Sequence, residues 1–149
     1  MNVHDSGRML SLLAAEGYRA APSLEEADIV LLNTCCIREK ADRKIYSELG
    51  TLRRWKRLRR GRLVGVGGCL AQQAGEALRK RAPHVDIVFG THNIVRLPDL
   101  VRAAERNDPA FEIAAEGEPA HWEIEPHLHE GAVSAMITIM QGCDNFCAY

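Results

Sequence analysis

Short apolar runs with helical stretches between them constrain this chain most. Ile29-Val30-Leu31-Leu32 and Leu63-Val64-Gly65-Val66 show no polar alternation and are too brief for a helix, and Val85-Asp86-Ile87-Val88-Phe89 is a third short run. Continuous apolar runs of this length read as strands covered on both faces. Between the first two, Ile37, Ala41, Ile45, Leu49, Leu52 and Trp55 recur at helical spacing over 37–58, with Gly50 a candidate break. Residues 72–81 read as a second helix, stopped before Pro83. Asn93 can cap a third over 93–104, with Pro98 near its first turn, where proline is tolerated. Ahead of the first run, residues 4–16 read as a helix: Asp5 or Ser6 caps it, Met9, Leu12 and Leu13 supply an apolar face, and Gly17 closes it. Strand and helix alternating in this way predict an α/β fold with a parallel sheet between layers of helices.

The chain has 149 residues, enough for one ordinary core with an appended piece. Apolar content of 46% and charged content of 26% suit a soluble globular protein. No apolar run approaches the roughly 20 residues that cross a bilayer. Met1 to Leu10 holds no hydrophobic block of the secretory kind, so the expected location is cytoplasmic. Residues 107–130 differ from the rest: seven acidic residues, no lysine or arginine, and prolines at 109, 119 and 126. They read as an interdomain connection. From Val133 an apolar strand runs to Gly142 and opens a second unit.

Cys35, Cys36, Cys69, Cys143 and Cys147 are an odd set in a chain without a secretory signal. That argues against a disulfide framework and for metal or catalytic thiols. Cys35 and Cys69 each follow a strand and precede a helix. In an open parallel sheet ligands gather at the carboxyl ends of strands, so both are expected on one rim. A helix N-terminus favours the thiolate, which is the metal-binding form. The competing reading makes them small buried hydrophobes. Cys36 is expected to point away from its neighbour and reads as a bystander. Cys143 and Cys147, three residues apart in a loop after a strand, suit a soft metal or an iron–sulfur cluster. Zinc is the alternative, although no second close pair exists. Gly65, Gly67 and Gly68 lack phosphate-loop spacing and read as room for the backbone beside a cluster.

Charge is concentrated in one place. From Arg38 to Arg62 there are eleven basic and three acidic residues, and Arg53 to Arg60 is the densest run. Such runs are usually solvated helix faces; the other reading is a surface for nucleic-acid phosphates. His121, His127 and His129 lie in the acidic stretch and read as solvated. His4, His84 and His92 have no partner visible in sequence.

Three motifs carry a resemblance. Gln141-Gly142-Cys143-Asp144-Asn145-Phe146-Cys147-Ala148-Tyr149 is similar to the opening of the Cys-x3-Cys-x2-Cys loop of radical S-adenosylmethionine enzymes. Asn33 to Ala41, with Cys35, and Gly65 to Gln72, with Cys69, resemble the two internal cysteine motifs of the methylthiotransferase family. Met1-Asn2 resembles the end of that family's first motif, Gly-Cys-Gln-Met-Asn. The similarity spans nearly the whole chain. Ile37-Arg38-Glu39-Lys40-Ala41 is nearest to the branch acting on N6-dimethylallyladenosine in tRNA.

The resemblance implies a flavodoxin-like domain over 1–105 lacking its first strand, an acidic linker over 106–131, and the start of a radical S-adenosylmethionine barrel over 132–149. It implies two [4Fe-4S] clusters, one held by Cys35 and Cys69 and one by Cys143 and Cys147. S-adenosylmethionine would bind the second. Each cluster would need a further cysteine, one before Met1 and one after Tyr149, so the 149 residues alone are expected to be inactive. The implied reaction places a methylthio group on C2 of the modified adenine. A radical abstracts hydrogen there, sulfur comes by way of the first cluster, and a second S-adenosylmethionine gives the methyl group. The implied partners are the tRNA anticodon stem-loop and an electron donor such as flavodoxin, with the protein a monomer. A sister enzyme acting on threonylcarbamoyl-adenosine or a ribosomal-protein aspartate, and a non-catalytic α/β module with a zinc site, are the alternatives.

Overall fold

A computed structural model describes residues 2–34 and 39–113. The elements run α1 (Asn2–Ala15), β1 (Ile29–Thr34), α2 (Glu39–Arg57), β2 (Leu63–Gly68), α3 (Cys69–Arg81), β3 (Ile87–Phe89), a 3-10 turn (Thr91–Arg96), α4 (Leu97–Glu105) and β4 (Ala110–Glu112). The strands form one parallel sheet in the order β1-β2-β3-β4. This is the α/β architecture that the alternating pattern predicts. In a flavodoxin-like order the first strand lies between the second and the third; with that first strand expected before Met1, β1 and β2 would flank its place without pairing. Here β1 and β2 pair directly over six positions, from Ile29 with Leu63 to Thr34 with Gly68. The described strands therefore show a parallel α/β sheet and not that particular order.

Period-two alternation along the strands divides the core into two layers. Val30, Leu32, Val64, Val66, Val88 and Phe111 point to the side covered by α2 and α3, where Leu49, Leu52, Trp55, Leu70 and Leu78 meet them. Ile29, Leu31, Leu63, Ile87, Phe89 and Ala110 point the other way, to Met9 and Leu13 of α1 and Leu97, Leu100 and Val101 of α4. Leu49, Leu78, Ile87 and Leu97 are at most 1% exposed. Each such side chain stabilises the fold by roughly 1.5–3 kcal/mol relative to an exposed one. β2 is buried at every position, as its composition predicts. β1 is only half-buried over most of its length, because it has a neighbour on one side alone among the described residues.

Several expectations are corrected. α1 begins at Asn2, so Ser6 lies inside the helix rather than capping it, and its hydroxyl accepts from Asn33 Nδ2 at 3.0 Å. Gly50 does not break α2: it is exposed with nothing near its α-carbon to clash, and the helix absorbs it. α3 starts at Cys69 rather than Gln72, with non-helical torsions at Ala74. Asn93 does not cap α4; it is buried in the 3-10 turn, and α4 starts later with its proline in the first turn. The first part of the acidic stretch joins the sheet: Ala110–Glu112 is β4, paired with β3. Proximity to β3 and burial of Phe111 against α3 override a composition that reads as linker. Cys35, Cys36, Cys143, Cys147, His121, His127, His129 and the strand from Val133 lie outside the described residues.

Candidate metal centre at the carboxyl edge of the sheet

Because all strands are parallel, Thr34, Gly68, Phe89 and Glu112 end at one edge. Thr34 and Gly68 immediately precede Cys35 and Cys69 in sequence, and they are register partners. Neighbouring strands lie about 4.8 Å apart. Cys69 is the first residue of α3 and is half-buried, so a thiol stands at a helix N-terminus on this rim. Where Cys35 points is outside the described residues.

The backbone leading to Cys69 is tightly held. Gly68 has φ +97° and ψ −164°, a conformation essentially restricted to glycine. A Cβ there would overlap the Thr34 carbonyl oxygen, with Asn33 Oδ1 and Thr34 N at 3.0 Å. Thr34 Oγ1 donates to the Gly67 carbonyl at 2.6 Å and is buried with it. The glycines of β2, read as room for the backbone beside a cluster, let it pack closely on its neighbours: a Cβ at Gly65 would strike Leu31, and one at Gly67 would strike the Phe89 ring.

Sequence reasoning missed a polar clasp on the same rim. Gln72, one turn after Cys69, donates through Nε2 to the Ile113 carbonyl at 2.5 Å. Its Oε1 is buried without a hydrogen-bond partner among the described residues and lies against Gly90. Glu112 Oε1 accepts from Arg96 at 2.6 Å and from Asn93 Nδ2 at 3.3 Å. Together these tie α3 and the 3-10 turn to the end of β4. The signal was Gln72 itself, a polar residue on the helix face that also carries Cys69.

Among the described residues no group of three or more His, Cys, Asp or Glu is placed to hold a metal. The donor chemistry fits a soft metal: one thiol at a helix start, beside a strand end whose next residue is another cysteine. It supplies part of a ligand set.

The basic run is elsewhere. α2 leaves the carboxyl end of β1 and returns to the amino end of β2, so its last turn lies at the opposite edge. Its 19 residues span about 28 Å at 1.5 Å per residue. Thiol rim and basic run are thus separate surfaces.

Residues 1–90 match the model of the uncharacterized protein family UPF0004, the N-terminal domain of methylthiotransferases. The chain belongs to that family. It is 50% identical over 150 residues to the tRNA-2-methylthio-N(6)-dimethylallyladenosine synthase of Geobacter metallireducens, and 46% identical to that of Geobacter sulfurreducens. The synthase of Delftia acidovorans is 45% identical over 152 residues. In each case the whole chain is covered, together with 34% of the relative. The chain thus spans about a third of the length of the curated relatives it matches. Among the described residues no helix is long and apolar enough to cross a membrane.

Proposed function

We propose that this chain is the amino-terminal part of an enzyme that adds a methylthio group to C2 of N6-dimethylallyladenosine in tRNA. The observation that carries the reading is identity of 50% along its entire length to a synthase so named. Two [4Fe-4S] clusters, one on Cys35 and Cys69 and one on Cys143 and Cys147, with S-adenosylmethionine at the second, would supply the radical and sulfur-transfer chemistry. The described residues have simpler tasks. Cys69 presents a thiolate ligand from the start of α3. Gly68 and Thr34 fix where that helix begins. Gln72, Asn93 and Arg96 hold the end of β4 to the same rim, so the chain continues toward residues 143 and 147 from the edge that bears Cys69. In this reading the acidic residues after β4 connect to a second domain, an electron donor such as flavodoxin supplies the reducing equivalent, and the protein works as a cytoplasmic monomer.

Two measurements test this. Anaerobic reconstitution with iron and sulfide, done on the longer protein that carries the further cysteines this reading requires, is expected to give a brown protein absorbing near roughly 400 nm, as thiolate-ligated clusters do. Cys69→Ala is expected to lower the iron bound while leaving the urea midpoint nearly unchanged. A colourless protein that takes only zinc would falsify the cluster. Mass analysis of tRNA nucleosides from a strain lacking the gene is expected to show dimethylallyladenosine without its methylthio group. Loss from threonylcarbamoyl-adenosine instead assigns the sister substrate.

A further inference from the structure

The amino edge of the sheet, opposite the thiol rim, carries a surplus of positive charge. From Arg53 to Arg62 the sequence has seven basic residues and no acid. The fold uses three of them. Lys56 Nζ pairs with Asp86 Oδ1 at 2.5 Å and donates to the His84 carbonyl at 2.9 Å. Arg59 pairs with Asp28. Arg62 is buried, stacks over Trp55 at 4.5 Å, and donates to the carbonyls of Trp55 and Glu25. Arg53, Arg54, Arg57 and Arg60 remain. All four are exposed, and none has an acidic partner among the described residues. Lys80, exposed in the last turn of α3, adds a charge at the same edge, whereas Arg81 is stacked on Tyr46. Asp28 and Asp86 at this edge are already paired with Arg59 and Lys56, and the exposed Glu25 and Glu26 of the neighbouring loop form no ion pair with the four arginines among the described residues.

We propose that Arg53, Arg54, Arg57 and Arg60 form a docking surface for the phosphate backbone of an RNA helix, remote from the chemistry at Cys69. Arg53 and Arg57, and Arg54 and Arg57, are four and three residues apart, so their stems rise about 5–6 Å from one another on one helix face. Guanidinium forks match phosphate oxygens in pairs and stay charged at any physiological pH. The four arginines lie on and just after the last turn of α2, and Leu58 is 81% exposed among them. Exposed cations spaced along a helix face suit the repeating charges of a nucleic-acid backbone. The positive field is felt locally: burial first, and then Lys56 and Arg53, holds His84 below its ordinary pKa. The inference rests on the RNA part of the function proposed above. It places a grip on this domain, away from the reactive base.

The test is titration of the chain with a fluorescein-labelled RNA stem-loop of arbitrary sequence across a salt series. Each phosphate neutralised contributes about −0.9 to the slope of log affinity against log salt. The slope is expected to flatten by about three in Arg54→Gln/Arg57→Gln/Arg60→Gln, with affinity falling at least tenfold. The matching triple substitution to lysine keeps charge and is expected to restore most of both. Circular dichroism and the urea midpoint should be the same for all three proteins, since none of these side chains is used by the fold. An unchanged slope in the glutamine variant overturns the proposal, as does poly-L-glutamate competing as well as RNA at equal charge. Neither the nucleoside analysis nor the iron reconstitution involves these arginines, so the enzymatic reading stands or falls apart from this one.

Discussion

At the carboxyl edge, glycine backbone is closely covered by its neighbours. Gly67 lies under the Phe89 ring, Gly68 against the Thr34 carbonyl, and Gly90 under the Gln72 side chain. At the amino edge, charge is set against carbonyl and carboxylate: Lys56 on Asp86, Arg59 on Asp28, Arg62 on Trp55 and Glu25. One edge has little side-chain volume and a thiol at its front; the other has long cations, some built in and some left over. The difference teaches how a small parallel sheet separates two tasks. The edge that must place a ligand is made of residues without freedom to move aside. The edge that holds the crossovers together uses side chains that can adjust, and its surplus charge is available to a partner.

The largest expected effect compares one glycine from each edge. Gly68 and Gly61 both have positive φ, +97° and +83°. A methyl at Gly61 meets nothing within 4 Å, whereas one at Gly68 overlaps the Thr34 backbone. Gly61→Ala should therefore cost only the torsional penalty, about 1 kcal/mol. Gly68→Ala should cost about 3 kcal/mol or more, the sum of strain in a glycine-only region and overpacking. Urea denaturation of both reads the contrast. Equal losses would mean that crowding at the carboxyl edge is not what fixes the start of α3.

How far the sequence discloses these edges follows from range. β2 reads directly from Leu63-Val64-Gly65-Val66, because burial on both faces leaves no polar residue to confuse the pattern. The placement of Cys69 after a strand is equally legible. β4 is not: Ala110–Glu112 is three residues long, and its partner β3 lies some twenty residues earlier, so no local period marks it. Asn93 reads as a cap because capping is a local rule, while its partner is Glu112 on another element. The division of seven cations into three structural and four exposed depends on Asp28 and Asp86, which sequence spacing does not bring near α2. His84 likewise has a partner that only the fold supplies, the Leu49 carbonyl at 2.8 Å from Nε2.

A smaller effect separates the amino-edge clasp from the carboxyl-edge one. Lys56→Met leaves the half-buried Asp86 carboxylate without its cation, though Asp86 Oδ2 still accepts from the Val64 amide at 2.8 Å. A charged hydrogen bond of this kind, partly wet, is worth about 1–2 kcal/mol. Gln72→Ala removes one neutral donor to the Ile113 carbonyl and should cost about 1 kcal/mol. Salt tells them apart. The deficit of the lysine variant should shrink in concentrated sodium chloride as the ionic pairing in the parent is screened. The glutamine deficit should not move. If both behave alike, the two clasps do not differ in kind.

The smallest effect concerns pH and bears directly on the field at the amino edge. His84 is held below its ordinary pKa by burial first, with Lys56 and Arg53 adding to the shift and the Leu49 carbonyl and Asp86 opposing it. A histidine whose folded pKa is depressed is protonated in the unfolded chain before the folded one. The neutral ring therefore costs nothing above about pH 6.5, and stability declines as pH falls below that value. His84→Gln should flatten the decline between about pH 7 and pH 5. Arg53→Gln should shift the His84 titration upward, because it removes one of the repelling charges while leaving burial unchanged. Proton NMR of the imidazole follows both. Should Arg53→Gln leave the His84 titration where it is, the positive field that distinguishes this edge from the thiol rim does not reach the ring, and burial alone accounts for the shift.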